Sequence, residues 1–178
     1  MQIIDEKLLD HVSTAARGSS RLRKNHNLHA DYDEPCQRLL NAVEPGSYIR
    51  PHRHLTPPKP ETFVALRGSF AALIFGDSGE VEQVIPFSAG GGTKGVDIQA
   101  GAWHAIVSLE SGSIFFETKP GPYVPLSDKD WAPWAPAEGS PEAPAYMAAL
   151  EEIIRKEARL IFTRDEGDEG ENPCSHGF

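Results

Sequence analysis

The stretch Gly46-Ser47-Tyr48-Ile49-Arg50-Pro51-His52-Arg53-His54, carried on through Pro57, Pro58 and Pro60 to Glu61, decides how this chain is read. His52 and His54 stand two apart, and on a strand that spacing sends both rings to one face, roughly 6–7 Å apart at Cα. Two such imidazoles can converge on one metal at about 2.0–2.1 Å from each nitrogen. The six residues before Glu61 are long enough to turn a corner and start the next strand pointing inward. His104 comes much later, directly after the tight turn Gly101-Ala102-Trp103. Together His52, His54, Glu61 and His104 are a mixed nitrogen and oxygen set able to hold one divalent transition metal, with Fe, Mn, Ni and Zn all compatible and one or two positions left open. Glu61 is expected either on the metal or hydrogen-bonded to a ligand imidazole.

Working outward, the chain from Gly46 to Thr118 is a succession of short apolar runs separated by turn residues. Thr62 to Leu66, Ser69 to Phe75, Val81 to Phe87, Val96 to Ile98, Ala105 to Leu109 and Ser113 to Glu117 read as strands. Arg67-Gly68, Gly76-Asp77-Ser78-Gly79 and Glu110-Ser111-Gly112 read as the turns between them. Many short strands at this spacing predict a β-sandwich or barrel. Gly90 to Gly95 lacks the spacing and the following helix of a phosphate-binding loop. Helix is expected at Asp5 to Ala16, around Pro35 to Asn41, and from Ala145 to Leu160, where 147, 150, 153 and 154 are apolar.

These runs divide the chain into a partly helical N-terminal segment packing on the barrel (1–42), the barrel (43–125), a proline-rich linker with a C-terminal helix (126–163) and an acidic, disordered tail (164–178). The 178 residues fit one domain and carry a net charge of −9, of which five negative charges, Asp165, Glu166, Asp168, Glu169 and Glu171, fall in the last fourteen residues. A net-acidic chain argues against a nucleic-acid partner. The absence of a signal-peptide pattern and of a long apolar run points to a cytoplasmic protein without a membrane partner. Cys36 and Cys174 match neither a zinc-ribbon nor a disulfide framework.

The glycine-framed motif Gly46-x5-His52-x-His54-x6-Glu61-x6-Gly68 resembles the first cupin motif with two extra residues before the glutamate, and Gly101-x2-His104 resembles the end of the second. Gln99 and Ser108 stand where that motif usually has proline and asparagine. More narrowly, Arg21 to His29, Gln37 to Ala42, Ser47 to His54 and Gly121-Pro122-Tyr123 resemble, in order, the WbuC family of cupin-fold metalloproteins over about residues 1–135. That resemblance implies a mainly β fold, a cupin barrel (double-stranded β-helix, or jelly roll) with helical additions at both ends. It also implies a metal inside, and an association with O-antigen and other surface-polysaccharide (lipopolysaccharide) biosynthesis. Cupin barrels often pair through sheet edges, so a homodimer is expected by the same resemblance.

The function expected is that of a metal-binding cupin enzyme acting on a small polar or anionic molecule such as a sugar or sugar-nucleotide derivative. An isomerase, an epimerase or an oxygenase-type cupin would each fit, and a non-catalytic metal-dependent binding or regulatory module is the alternative. Glu61, His29 and Tyr48 are the acid/base candidates. Arg50, Arg21, Arg23 and Asn27 are the substrate-binding candidates, although the run Arg21 to Lys24 also reads as a solvated charge cluster. Counting in twos from His52 places Arg50 and Tyr48 on the metal side and Arg53 on the other.

Overall fold

The structure, a computed structural model, describes residues 1–165. Helix α1 (Glu6–Arg17) is followed by strands β1 (Arg23–Asn27), β2 (Cys36–Val43), β3 (Glu61–Arg67), β4 (Ser69–Phe75) and β5 (Val81–Ser88). Then come β6 (Gly95–Ile98), β7 (Trp103–Ser108), β8 (Ile114–Pro120) and helix α2 (Ala143–Asp165). The strands form two antiparallel sheets, one in the order β1-β2-β8-β3-β6 and the other β5-β4-β7. His52 pairs with His104 at the free edge of β7, through reciprocal N–H to carbonyl bonds of 3.0 and 2.9 Å, and with Trp131 on its other side. The chain passes repeatedly from one sheet to the other, so that β7 and β8, neighbours in sequence, lie in different sheets. That is the connectivity of a jelly roll.

Alternation along each strand then builds four layers. Phe70 and Ala72 of β4, Ile106 of β7, Phe63 and Ala65 of β3 and Phe115 of β8 meet between the sheets. The opposite faces of β4 and β7 present Ala71, Leu73, Phe75, Trp103, Ala105 and Val107 to Met147, Leu150 and Ile154 of α2. On the far side, Leu40, Ala42 and Ile114 lie under Leu9, Val12 and Ala16 of α1. Helix α1 forms here because its buried residues recur at helical spacing and because Asp5 caps it, its carboxylate accepting the Leu8 N–H at 2.9 Å. Both faces of β4 are covered, which is why it reads as an unbroken apolar run.

The six strands expected between residues 62 and 117 are found as β3 to β8, with ends shifted by a few residues. The helix expected around Pro35 to Asn41 is instead strand β2. Residues 37, 40 and 43 recur at a helical interval, but pairing with β1 on one side and β8 on the other imposes a period of two, with Leu40 and Ala42 under α1 and Asn41 and Val43 turned inward. The N-terminal segment is therefore part of the larger sheet. The acidic tail falls almost wholly outside the described residues. No helix among the described residues is long and apolar enough to cross a membrane.

Gly68, between β3 and β4, has φ +72°, and a Cβ there would lie 2.9 Å from the Ser113 Cα, so only glycine turns the chain here. Phe70, the next inward residue, is fully buried, stacked on Phe87 and edge-on to Phe115. Phe70→Ala is expected to cost about 3–5 kcal/mol. The measurement is a urea unfolding curve, which should move to a lower midpoint with its slope unchanged.

Candidate metal centre

At one end of the space between the sheets the inward positions turn polar: Glu61 opens β3, His104 lies on β7, and Glu117 and Lys119 follow Phe115 on β8. His52 is brought alongside His104 by their shared bridge, and His54 follows it, so the three rings cluster with centroids 4.5 to 6.3 Å apart. Ligand atoms of His52, His54 and Glu61 lie within 4.8 Å of one another. His104 joins them through Glu61, its Nε2 standing 3.0 Å from Oε2, while His54 Nε2 stands 3.1 Å from Oε1. All four residues named from the sequence converge.

The tautomers of two rings follow from their surroundings. His52 Nδ1 is 3.0 Å from the Arg50 carbonyl and His104 Nδ1 is 2.9 Å from the Ala102 carbonyl. A carbonyl only accepts, so each Nδ1 carries a hydrogen, and in the neutral ring each Nε2 presents a bare lone pair. His104 Nε2 therefore faces the Glu61 carboxylate acceptor to acceptor, and both atoms are buried without a hydrogen-bond partner. Such a contact is repulsive unless a cation, a proton on the ring or a metal ion, stands between the two. A divalent metal fits this donor set.

Lys119 was not singled out in the sequence, and it is central. Its ammonium donates to Glu61 Oε1 at 2.7 Å and pairs with Glu117 at 2.6 Å, and Asn41 donates to the other Glu117 oxygen at 2.7 Å. Burial alone pushes the Lys119 pKa down, but Glu117 and Glu61 outweigh it and raise it, so the side chain stays charged. Burial pushes the Glu61 carboxyl up, and hydrogen bonds from His104 and His54 when those rings carry a proton on Nε2, together with the Lys119 ammonium, hold it well below its ordinary value. Burial raises Glu117, against the pull of Lys119. The signal available in the sequence was parity: Glu117 and Lys119 continue the inward set of Phe115.

Three spaces that share walls lie around the centre. An inner cavity of about 220 Å³ is lined by His52, Glu61, His104, Glu117 and Lys119, with Trp131 at its side. A cleft of about 390 Å³ exposes His52 and His54 beside Lys59, Tyr123 and Trp131. A polar cleft of about 530 Å³ runs past Lys24, Asn25, Asn27 and His29. Arg21 and Lys119 line all three. Arg23 also reaches the inner cavity, and both arginines are ion-paired with Glu138.

Two candidates lie elsewhere. The Tyr48 hydroxyl donates to the Pro136 carbonyl at 2.8 Å, and its ring stands against Tyr146 of α2 with the phenol pKa raised by burial. The Arg50 guanidinium donates to the Ala132 carbonyl at 2.8 Å and stands over Trp131. The structure brings neither to the histidines. Arg53 does turn away from them, its guanidinium lying 4.1 Å from the Trp103 ring.

With this geometry in view, comparison with known proteins adds the following. A family model described as a domain of unknown function (DUF6016) matches residues 4–87. No curated protein matches the sequence. Among solved structures, a cupin-2 domain containing protein from Shewanella frigidimarina is 17% identical, with a TM-score of 0.42 over 55% of this chain and 80% of that one. The TT1209 protein of Thermus thermophilus is 21% identical, with a TM-score of 0.46 over 67% of this chain and 97% of that one. KdgF from a Halomonas species is 15% identical, with a TM-score of 0.44 over 60% and 81%. The jelly-roll assignment rests on the strand order given above.

Two outcomes follow. Lys119→Met leaves two buried carboxylates without their counter-charge and is expected to destabilise the metal-free protein by about 3–5 kcal/mol, read from urea unfolding. Burial, then the neighbouring His104, pushes the His52 pKa down to about 3 from its ordinary 6.5. The unfolded chain therefore takes up this proton first, and the stability His52 contributes is present above about pH 6.5 and lost as the pH falls from there. Chelator-treated protein should show a falling unfolding midpoint between pH 6.5 and 3, and His52→Ala should show a shallower fall.

Proposed function

We propose that this protein is a metal-dependent cupin of the WbuC type that binds a sugar or sugar-nucleotide derivative of surface-polysaccharide metabolism and acts on it as an enzyme. The observation that carries the metal is the buried, acceptor-to-acceptor meeting of His104 Nε2 with Glu61 Oε2 at 3.0 Å. His52, His54, His104 and Glu61 would hold the ion, the first and third with Nδ1 anchored to backbone carbonyls so that Nε2 points inward. A divalent metal so held supplies Lewis-acid polarisation of a carbonyl or hydroxyl.

The remaining residues have separable tasks. Lys119 occupies Glu61 Oε1, leaving Oε2 for the metal, and its fixed positive charge can also receive an oxygen of the ligand. Trp131, 5.7 Å from the His52 ring, walls the opening and limits the water that reaches the centre. Glu117, with its pKa raised by burial, is the carboxyl best placed to carry a proton in the inner cavity. A homodimer and a cytoplasmic location belong to the same reading.

One observation favours the alternative of a non-catalytic binding module. Lys119 and Asn41 engage Glu117, and Lys119 engages Glu61 Oε1 while Oε2 is left to the metal, so neither carboxylate is free to move a proton. A screen of sugar phosphates and nucleotide sugars separates the two readings. Turnover that disappears in His104→Ala while the fold survives supports the enzyme, and saturable binding without chemical change supports the module. The metal itself is tested by elemental analysis of protein purified without an affinity tag. The wild type should carry a divalent metal and the His52→Ala, His54→Ala double variant should not; full metal retention in that variant sinks the proposal.

A further inference from the structure

The polar cleft outside the metal centre contains a buried donor that the fold does not use. His29 is 6% exposed. Its Nδ1 lies 3.0 Å from the Arg38 N–H and 2.9 Å from the Arg38 carbonyl, but that carbonyl already accepts the Leu28 N–H at 2.8 Å. Of the two tautomers, the one in which Nδ1 accepts and Nε2 carries the hydrogen leaves both Arg38 backbone groups paired, since the carbonyl keeps its bond from Leu28. Nε2 is buried and has no partner among the described residues. A donor kept dry and unpaired costs free energy that a ligand acceptor would recover.

The rest of the cleft shows what kind of acceptor it suits. Asn25 donates to the Asn27 side-chain oxygen at 2.8 Å, which leaves the Asn27 amide hydrogens free to bind a hydroxyl. Tyr32 and Tyr123 stand with ring centroids 5.0 Å apart, and the Tyr123 N–H donates to the Tyr32 carbonyl at 2.7 Å, so the two loops form one aromatic wall. Lys24 is exposed and forms no ion pair among the described residues. Amides for hydroxyls, an aromatic wall for a ring face and an unneutralised ammonium at the rim suit a hydroxylated anion. Tyr123 and Lys119 line both this cleft and the one that exposes His52 and His54, so a single extended molecule can occupy the two together.

We propose that the His29 cleft is the outer half of the ligand site and binds the anionic end of a sugar derivative, a sugar phosphate or a uronate, whose other end reaches the metal centre. This rests on the metal-dependent reading for its inner half alone. The test is calorimetric titration of the full chain, purified without an affinity tag, with glucose 1-phosphate, glucuronate, glucose and inorganic phosphate. At least one of the two anionic sugars should bind, about tenfold or more tighter than glucose or inorganic phosphate, the worth of one charge-assisted contact. Which of the two binds decides between phosphate and carboxylate.

His29→Leu and Lys24→Ala should each weaken that binding by roughly tenfold, and His29→Gln, which keeps a donor, by less. Metal content should be unchanged in all three variants. Lys24 is a surface residue, so its variant keeps the test valid if His29→Leu fails to fold. Glucose or inorganic phosphate binding as tightly as the anionic sugars, no binding of either anionic sugar, or variants that bind like the wild type would each overturn the proposal. The His52→Ala, His54→Ala protein separates the two readings. Loss of metal with His29-dependent binding kept upholds both, and retention of metal removes the metal reading whatever the sugars do.

Discussion

A carboxylate buried between two β-sheets must be matched by positive charge or by hydrogen bonds, and Glu61, at 2% exposure, sets that demand for everything near it. Lys119 is held across from it on β8 by the register that pairs β3 with β8. Glu117 then has to be accommodated by the same ammonium, with Asn41 of β2 taking its second oxygen. On the other side, His104 and His54 come within about 3 Å of the carboxylate because the chain at His52 is stitched to β7. Four strands and one irregular segment are thus tied to a single side chain. The apolar end of the same inner layer, around Phe63, Phe70 and Phe115, supplies the rigidity that keeps those strands in place.

Much of this was legible in the sequence, and the exceptions have physical causes. The four residues that converge could be named because a pair of histidines two apart, a glutamate past a corner and a histidine after a glycine turn are local patterns. Arg50 and Tyr48 were misplaced because counting in twos assumes a regular strand, whereas from Gly46 to Pro60 only His52 makes ladder contacts with a neighbouring strand. Parity counted back from His52 does not survive the irregular backbone. Lys119 and Glu117 were passed over for the opposite reason. They lie on a regular strand where parity does hold, but charge there looks like solvent exposure until β2, β3 and β7 are known to close over it. Strand β2 looked helical because Gln37, Leu39 and Leu40 sit near Val43, and only its two neighbours force the alternate period.

The helices matter to the site although neither touches the histidines. Helix α2 covers the outer faces of β4 and β7, so β4 is apolar on both sides, and α1 covers β2 and β8; between the sheets, the inward positions turn polar at the end where Glu61 and the histidines lie. Glu138, in the turn leading to α2, also holds Arg21 and Arg23, two of the side chains shared by the inner cavity and the outer cleft. The C-terminal element therefore reaches the ligand space through one ion pair network while its body remains on the opposite face of the molecule.

Lys119 has a consequence for the order of events in the life of the molecule. Small metal-dependent domains that gather several anionic ligands without a resident cation stay unfolded until the ion arrives, because their ligands repel one another. Here the chain brings its own monovalent counter-ion, which offsets one of the two buried carboxylates whether or not a metal is present. Folding would thereby be a step separate from any metal loading. If a divalent metal binds here as proposed, the folded chain could wait for it and could lose and regain it without coming apart, so metal supply would govern metal-dependent function and not abundance.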